Sequence, residues 1–345
     1  METDELLRKN RDEIERELKK FLPEKIDSSW LKKNAGMKDY DIAAVNAFMT
    51  KPTWDLLGRG GKRWRPLLML LCCGAVGGNP EKNRKFAIIP EIIHNGTLVQ
   101  DDIEDNSEIR RGKPALHIIY GIDTAVNLAS MLYYLPLLIV RDSRLDAGMK
   151  ARIYELVNDE LLNLHLGQGT DITWHRNATQ ITESKYFAMC ANKTGTLARM
   201  AAKLGAILGK GEEKQVEALG RFAEGIGIAF QIQDDVLNLT GGLGKTFGED
   251  ITEGKISMPV IIALKKSGEN DRKKLLHLLR KHSSDRRGIL EAIAIIKKCN
   301  ALEQSGQIAR KIVQKSWADA EYLLPASEYK NQLKQIADFM TERKA

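Results

Sequence analysis

The sequence predicts an all-α protein, and three observations carry that prediction. Apolar residues recur at three- and four-residue intervals along most of the chain, as they do in amphipathic helices. No segment combines sustained alternation with enrichment in β-branched residues, which is the pattern of a strand. The connections are short, with no 20–50-residue repeat and no low-complexity linker. These features favour one helical bundle of about 12 helices, in a single domain over residues 1–345.

The first helix is predicted over residues 3–21, a charged segment with a narrow apolar face that ends before Pro23. A second covers 41–57, is interrupted by Pro52 and is closed by glycines. An apolar run over 67–76 ends at Gly77-Gly78-Asn79-Pro80. Further helices are predicted over 84–105, 121–140, 146–168, 182–208, 212–238 and 256–266, and several more beyond residue 270.

The composition indicates a soluble cytoplasmic protein. The net charge of +7 comes from scattered basic residues, so it suits anionic small molecules and does not indicate a nucleic-acid partner. The four cysteines show no CxxC spacing, which is typical of reduced intracellular thiols. The acidic N-terminus lacks an apolar signal region. The longest apolar stretch, residues 125–140, contains Asn127 and Pro136 and is predicted to be too short to span a bilayer.

The segment Ile92–Asp105 ends in a dense cluster of carboxylates. Asp101 and Asp105 lie one helical turn apart on one face, where like charges cost a helix a few tenths of a kcal/mol. His94 lies on nearly the same stripe, about 10 Å before Asp101. Such repulsion beside an apolar run predicts a bound cation, although a solvated helix end is the alternative interpretation.

A second acidic cluster follows the apolar helix Phe222–Ile232. Gln231, Asp234 and Asn238 share one helix face there. Two helices that each present oxygen ligands at one end predict Mg²⁺, which binds carboxylates together with substrate phosphates. Zinc is not expected, because no His/Cys spacing supports it.

Basic residues are placed as a diphosphate ligand would require, since arginine and lysine are the usual partners of phosphate oxygens. Singly, each of them is more often a solvated surface charge than a phosphate ligand. Gly244-Lys245-Thr246 is not a P-loop, because Leu239 occupies the position of the first glycine and no strand precedes it. The basic residues are Lys62, Arg65, Arg110, Arg111, Lys193, Lys245 and Lys255.

Taken together, these motifs resemble the trans-isoprenyl diphosphate synthases (polyprenyl synthetases) over residues 55–265. The segments around Asp101–Gly112 and Phe247–Lys255 are most similar to the eukaryotic-type geranylgeranyl diphosphate synthases. In order, the motifs are Gly61-Lys62-x-x-Arg65-Pro66, His94…Asp101-Asp102-x-x-Asp105, Arg110-Arg111-Gly112, Lys193-Thr194-Gly195, Gln231-x-x-Asp234-Asp235 and Gly254-Lys255.

The resemblance implies a helical bundle of the isoprenoid synthase type with a central cavity, and a role for each motif. Asp101, Asp105 and Asp234 would ligate Mg²⁺. Isopentenyl diphosphate would bind Lys62, Arg65, His94 and Arg111. The allylic diphosphate would bind Arg110, Lys193, Thr194, Gln231, Lys245 and Lys255. Catalysis would rest on Asp101, Asp105, Arg110, Lys193, Gln231 and Asp234, with Gln168 and Asp171 near the reacting centre.

The resemblance also bears on product length. Gly96 and Thr97 lie roughly 6–7.5 Å below Asp101, where bulky aromatic residues stop the product at fifteen carbons in the family. Here both are small, so the resemblance implies a longer product, with a floor at Tyr133 and Tyr134 and His165 nearby. Alternatively, the two tyrosines are ordinary core or interface residues. The chain departs from the fullest family pattern at Asn238, which weakens the case for a metal ligand at that position.

The expected activity is Mg²⁺-dependent condensation of isopentenyl diphosphate with dimethylallyl, geranyl or farnesyl diphosphate, mainly to geranylgeranyl diphosphate. The family implies a homodimer or larger homo-oligomer. A terpene cyclase would not need Lys62, Arg65, His94 and Arg111. The remaining alternatives are a non-catalytic regulatory subunit and a synthase whose product has fifteen carbons or more than twenty.

Overall fold

A computed structural model describes residues 3–36, 39–176, 181–241, 247–282 and 285–341. Most of them are helical, which confirms the predicted all-α class. The α-helices are α1 Thr3–Phe21, α2 Ser28–Ala35, α3 Ile42–Val45, α4 Lys51–Gly58, α5 Trp64–Ala75, α6 Pro80–Asn83, α7 Ile88–Glu104, α8 Leu116–Tyr120, α9 Ile122–Tyr134, α10 Leu138–Arg141, α11 Ala147–Arg176, α12 Glu183–Cys190, α13 Thr196–Leu208, α14 Glu213–Thr240, α15 Glu249–Thr252, α16 Met258–Lys266, α17 Glu269–Arg280, α18 Arg286–Lys298, α19 Ala301–Glu321 and α20 Glu328–Thr341. Short π-helical segments cover Asn46–Thr50 and Ala191–Gly195, and 3₁₀ segments cover Arg84–Ala87 and Leu135–Leu137.

One small β-hairpin was not predicted from the sequence. Strands β1 (Ile109–Arg110) and β2 (Lys113–Pro114) pair antiparallel, with Arg110 opposite Lys113. Arg111 and Gly112 form the two-residue loop, and both have positive φ, 52° and 72°. Positive φ at both central residues is the signature of a type I′ turn, which suits the twist of a short hairpin. The strands are too short to show any alternation in the sequence.

The chain divides into two compact units, residues 1–156 with 204–211, and residues 157–203 with 212–345. The prediction of a single domain stays a prediction.

In the first unit, every residue of α5 is buried, and α7 packs against both α5 and α9. Helix α1 contributes an apolar stripe in which Leu7, Ile14 and Leu18 are buried, so the amphipathic pattern of residues 3–21 is used for packing. The C-terminal end of α13 lies very close to α5. An ideal Cβ on Gly205 would be 2.0 Å from the carbonyl oxygen of Met69, so only glycine fits there.

In the second unit, α14 is the central helix and its main neighbour is α19. Phe222 of α14 meets Trp317 of α19 edge to face, with ring centroids 5.0 Å apart. Helix α14 begins with a capping box of Glu212 and Gln215 and ends at Gly241 with φ of 88°, the usual left-handed helix end. These caps fix the length of the helix that carries the second acidic cluster.

One stretch, Ile122–Arg141, is 20 residues long and apolar enough to cross a membrane by length and composition. The sequence-based length argument against a span is therefore wrong, because the helical stretch extends beyond residues 125–140. Pro136 lies in a 3₁₀ break within it. Leu128 and Leu132 are buried, and α9 packs on α7.

Candidate active site

The first acidic cluster lies in the last turn of α7. Asp101 keeps 27% of its side chain exposed, whereas Asp102 keeps only 2%. Asp105 follows the helix, and its N–H donates to the carbonyl of Asp101 at 2.9 Å. The C-terminal end of a helix carries a partial negative charge and favours cations. Carboxylates there are therefore unfavourable unless a positive charge is bound.

Arg110 of β1 binds the buried member of this cluster. Its Nε donates to Oδ1 of Asp102 at 2.7 Å, and a second guanidinium nitrogen contacts the same oxygen. The distance from Arg110 to Oδ2 of Asp101 is longer, 3.5 Å. Burial raises the pKa of Asp102, and the hydrogen bond to Arg110 opposes that shift. Asp102 is thus engaged in positioning Arg110, while Asp101 remains accessible.

Arg59 holds the hairpin that carries Arg110 and Arg111 through hydrogen bonds to its backbone. One nitrogen of Arg59 donates to the carbonyls of Arg110 and Pro114, at 3.0 and 2.9 Å. Its Nε donates to Asp55 at 3.0 Å, and its side chain is completely buried. Sequence reasoning missed Arg59, since one more arginine after a helix carries no visible signal. Its function is to fix the β1–β2 backbone.

His94 lies within a group of arginines. Burial lowers its pKa well below the ordinary value, and the charges of Arg65, Arg111, Arg110 and Arg63 lower it further. The pKa of Arg111 is also lowered, first by burial and then by the charge of Arg63. Positive charges that depress one another's proton affinity leave a site that attracts an anion. Lys62 is exposed, and Arg65 is largely buried.

In the second unit, the π-helical segment Ala191–Gly195 carries the candidate diphosphate ligands. Nζ of Lys193 donates to Oδ2 of Asp171 at 2.6 Å. The hydroxyl of Thr194 donates to Oε1 of Gln231 at 2.8 Å. π-Helical turns inside longer helices are frequent at functional sites. The structure therefore brings together Lys193 with Asp171 and Thr194 with Gln231.

Two glycines explain these pairs. An ideal Cβ on Gly167 would lie 2.3 Å from the backbone nitrogen of Lys193, and one on Gly227 would lie 2.5 Å from the Cα of Gly195. Helices α11 and α14 therefore both approach the backbone of the π segment. Asp171 and Gln231 each follow their glycine by four residues, about one turn. The close approach sets each of them beside its partner.

Gly167→Ala is expected to destabilise the protein by about 1–3 kcal/mol, because the added methyl must push Lys193 away from Asp171. Gly169→Ala on the same helix is the matched control. Its Cβ meets nothing within 4 Å, and alanine should even stabilise a helix interior by about 0.5–1 kcal/mol. Thermal unfolding measures both variants. Equal shifts in the two would contradict the close-approach explanation.

The second acidic cluster repeats the arrangement of the first. Asp235 is buried, and it accepts hydrogen bonds from the Tyr186 hydroxyl at 2.5 Å, from Nε2 of Gln231 at 3.0 Å and from the Met258 N–H at 3.1 Å. Burial raises the pKa of Asp235 to about 6. Asp234, one residue earlier, is partly exposed. In both clusters the first aspartate is accessible and the second is bound inside the protein.

Asn238 has a different function from its neighbours. Its Oδ1 accepts the backbone N–H of Asp250 at 3.1 Å, and its carbonyl accepts the N–H of Gly248 at 3.1 Å. The side chain is buried. Its oxygen therefore supports the 248–250 backbone, where an aspartate would have placed a charge.

Lys255 lies close to that backbone, with its Nζ near carboxylate oxygens of Glu253 and Asp250. Its N–H donates to the Asp250 carbonyl at 2.8 Å. Gln168 is partly buried on α11. Lys245, predicted to bind the allylic diphosphate, lies outside the described residues.

The predicted chain-length residues are only partly brought together. Gly96 faces α9, where an ideal Cβ would lie 3.0 Å from Leu132 Cβ and 3.3 Å from the ring of Tyr133. Tyr133 is buried and donates to Oε1 of Gln100 at 2.7 Å. Thr97 is partly buried, and its hydroxyl donates to the His94 carbonyl at 2.8 Å.

Two of the predicted floor residues need correction. Tyr134 is 69% exposed, because consecutive helical residues point about 100° apart and Tyr133 already faces inward. His165 on α11 is exposed as well. In the single chain, neither of them lines an interior floor.

The donor chemistry fits a divalent ion of the Mg²⁺ type. In the first unit, Asp101 and Asp105 are partly exposed carboxylates at the C-terminal end of α7, where a cation relieves the unfavourable charge. In the second unit, Asp234 of α14 is partly exposed as well. Among the described residues, no three His, Cys, Asp or Glu side chains form a metal-holding group. Mg²⁺ commonly takes one or two carboxylates and completes its shell with water and substrate phosphates, so the carboxylates of each unit, taken separately, suit it.

Comparison with known proteins places this chain in a family. A sequence model of the family described as polyprenyl synthetase matches residues 46–296. The chain therefore belongs to the polyprenyl synthetases, and the predicted resemblance to trans-isoprenyl diphosphate synthases is confirmed.

Individual relatives come from archaea and fungi. The chain is 36% identical to a short chain isoprenyl diphosphate synthase of Methanothermobacter thermautotrophicus, over 84% of this chain and 88% of that protein. It is 39% identical to geranylgeranyl pyrophosphate synthase 2 of Zymoseptoria tritici, over 76% and 77%. The crystal structure of geranylgeranyl pyrophosphate synthetase from Pyrococcus horikoshii superposes with a TM-score of 0.85 at 30% identity, over 99% of both chains.

Proposed function

We propose that the protein is a prenyltransferase that condenses isopentenyl diphosphate with an allylic diphosphate, mainly to geranylgeranyl diphosphate. The observation that carries this proposal is the repeated arrangement of the acidic clusters. In each cluster an accessible aspartate precedes a buried one, and the buried one orients a group suited to a diphosphate: Arg110 in the first unit and Gln231 in the second. Relatives named as geranylgeranyl diphosphate synthases support the same activity.

The reaction begins when the carbon–oxygen bond of the allylic diphosphate breaks and diphosphate leaves with the electron pair. In the first unit, Arg110 would neutralise charge that builds on the leaving group, the type of electrostatic stabilisation that lowers such barriers. Asp102 holds this cation in place before the substrate arrives, and in the second unit Asp171 holds the cation of Lys193 in the same way. Groups oriented in advance need no reorganisation during ionisation.

The allylic cation is then attacked by the double bond of isopentenyl diphosphate, which forms the new carbon–carbon bond. Lys62, Arg65 and Arg111 would bind the diphosphate of this second substrate, with His94 beside them. Before the diphosphate binds, His94 is neutral, because burial and the neighbouring arginines hold its pKa well below the ordinary value. Loss of a proton, by analogy with the family to the released diphosphate, gives the longer allylic product. The chain supplies no side-chain nucleophile to this scheme.

Prenyl synthetases use a divalent metal ion, and we propose Mg²⁺ for this chain. Asp101 and Asp105 would hold it in the first unit, and Asp234 would do so in the second. When bound, such an ion neutralises diphosphate oxygens without a change in protonation.

Product length gives a second test of the site. We propose that Tyr133 limits the chain, since it is buried beside Gly96, so Tyr133→Ala should yield products longer than twenty carbons. The neighbouring Tyr134 is exposed, and Tyr134→Ala should leave the product spectrum unchanged. Chain-length chromatography of the products measures both. An unchanged spectrum with Tyr133→Ala would show that Tyr133 is an ordinary core residue.

We also propose that the protein assembles as a homodimer or a larger homo-oligomer. The consecutive helices α8 and α9 expose Ile118, Ile119, Ile122 and Val126, and large exposed apolar side chains that form a patch usually mark a protein contact. Sedimentation equilibrium tests this proposal. A mass equal to the 38.7 kDa of one chain would contradict it.

The experiment that tests the activity uses labelled isopentenyl diphosphate with Mg²⁺ and, in turn, dimethylallyl, geranyl and farnesyl diphosphate. Each primer should become a longer allylic diphosphate, and chromatography should show a twenty-carbon main product. Absence of label in any product with all three primers would overturn the proposal.

A further inference from the structure

The loop between α4 and α5 carries Lys62, and Arg65 follows in the first turn of α5, with Arg63 between the two. Arg63 has a left-handed φ of 49°, which is uncommon for residues other than glycine. None of its side chain is exposed. A guanidinium that is closed to solvent cannot contact a substrate, so its function must lie in what it holds.

Three groups bind the Arg63 guanidinium. Nε donates to Glu15 at 2.9 Å, one terminal nitrogen donates to Glu91 at 2.6 Å, and the other donates to the Leu57 carbonyl at 2.9 Å. Glu91 is itself fixed on α7 by a hydrogen bond from Asn95 at 3.1 Å. Bonds between ionised groups are stronger than neutral ones, and the planar fork of arginine fixes their directions. The left-handed loop is therefore held from three sides.

Helix α1 supplies part of this arrangement. Besides Glu15, Nδ2 of Asn10 donates to the Arg63 carbonyl at 3.4 Å. The buried apolar stripe of α1 holds the helix on the first unit. A helix far from the acidic motifs in sequence thus binds both the side chain and the backbone of the residue next to Lys62.

Arg63 is also close to Arg111. An ideal Cβ on Gly61 would lie 3.2 Å from a terminal nitrogen of Arg63 and 3.4 Å from one of Arg111. Arg63 and Glu91 also affect the pKa of Arg111. Burial lowers that pKa, the charge of Arg63 lowers it further, and the charge of Glu91 raises it. Arg63, held between Glu15 and Glu91, therefore affects the electrostatic environment of Arg111, which is the third candidate ligand for isopentenyl diphosphate after Lys62 and Arg65.

We infer that Arg63 is a positioning residue for isopentenyl diphosphate binding, and that α1 belongs to this site through Glu15 and Asn10. The inference rests on the proposed function. Glu15 holds Arg63, and Arg63 holds the end of the loop that carries Lys62 and leads into the first turn of α5, where Arg65 lies.

Isothermal titration of isopentenyl diphosphate onto the full chain tests this inference. Glu15→Ala should weaken binding about tenfold, because the loop loses a charge-assisted hydrogen bond. The KM for farnesyl diphosphate should stay unchanged. Glu13→Ala is the matched control, since Glu13 lies on the same helix, pairs with Arg84 at 2.9 Å and is similarly exposed. Glu13→Ala should leave both the affinity for isopentenyl diphosphate and the KM for farnesyl diphosphate unchanged.

Glu15→Gln separates positioning from a simple charge effect. Glutamine keeps an oxygen that accepts from Nε of Arg63, so affinity should return to near the wild-type value. If the charge alone mattered, both Glu15 variants would bind the anionic substrate more tightly. Tighter or unchanged binding with Glu15→Ala, or equal losses for both substrates, would overturn the inference.

The titration also distinguishes this inference from the proposed function. A wild-type chain that binds isopentenyl diphosphate but forms no product would overturn the proposed reaction, while the Glu15 comparison would still decide the function of Arg63. A wild-type chain that does not bind isopentenyl diphosphate would overturn both.

Discussion

Asp101→Ala is expected to abolish prenyl transfer while leaving the fold intact. Asp101 is the accessible carboxylate at the end of α7, with 27% of its side chain exposed. Its loss removes a proposed ligand of the Mg²⁺ ion, whose charge would balance that of the departing diphosphate. Removal of one preorganised group of this kind costs about 10²–10³ in rate, and we expect at least the upper value here. Steady-state assays with farnesyl and isopentenyl diphosphate measure the loss.

Stability is the control for that variant. Asp101 is a negative charge at the negative end of a helix, so its removal should change the free energy of unfolding by no more than about 1 kcal/mol. Asp12→Ala, at an exposed position of α1, should change neither activity nor stability. More than a tenth of wild-type activity in Asp101→Ala would contradict the assignment of Asp101 as a metal ligand.

Arg110→Ala should have the largest effect on stability and activity together. It leaves the Asp102 carboxylate, 2% exposed, without the guanidinium that binds it. Breaking a buried ion pair on one side costs about 3–5 kcal/mol, and the lower end applies because Arg110 is partly exposed. The leaving diphosphate also loses a cation. Chemical denaturation and the condensation assay measure the two losses separately.

Two further variants make that prediction specific. Arg141→Ala breaks an exposed pair with Asp142, which should cost at most about 1 kcal/mol. Adding Asp102→Asn to Arg110→Ala should recover part of the stability, because the buried group no longer carries a charge, but none of the activity. Equal stability of the Arg110→Ala and Arg141→Ala variants would show that Asp102 is satisfied by other groups.

Much of the fold could be predicted, because amphipathic periodicity reports burial directly. The helix over residues 3–21 and the one predicted over 212–238 were placed to within about two residues. The β1–β2 hairpin could not be predicted, since two residues per strand give no alternation. Nor does the sequence show that Arg63 has positive φ, because that conformation is imposed by Glu15, Glu91 and Asn10.

The site was predicted at the level of motifs but not of individual side chains. Adjacent aspartates look alike in sequence, yet Asp102 and Asp235 are buried and Asp101 and Asp234 are partly exposed. The helix rotates by about 100° per residue, so neighbours face different surroundings. The same rotation explains why Tyr133 is buried and Tyr134 is not.

Residues that hold the ligands were missed altogether. Arg59 and Tyr186 lie far in sequence from the groups that they bind, Pro114 and Asp235. No spacing rule links such pairs, because only the folded chain brings them together. Gly167 and Gly227 were missed for the same reason, since a glycine in a helix shows its use only when the neighbouring backbone is known.

The most direct test is the transfer of label from isopentenyl diphosphate onto farnesyl diphosphate by the wild-type chain, with Mg²⁺ and then with a chelator. With Mg²⁺ the label should appear in a twenty-carbon allylic diphosphate, and the chelator should abolish its formation. Label that stays in isopentenyl diphosphate under both conditions would contradict prenyl transfer. Equal product with and without the metal would contradict the assignment of Asp101, Asp105 and Asp234 as its ligands.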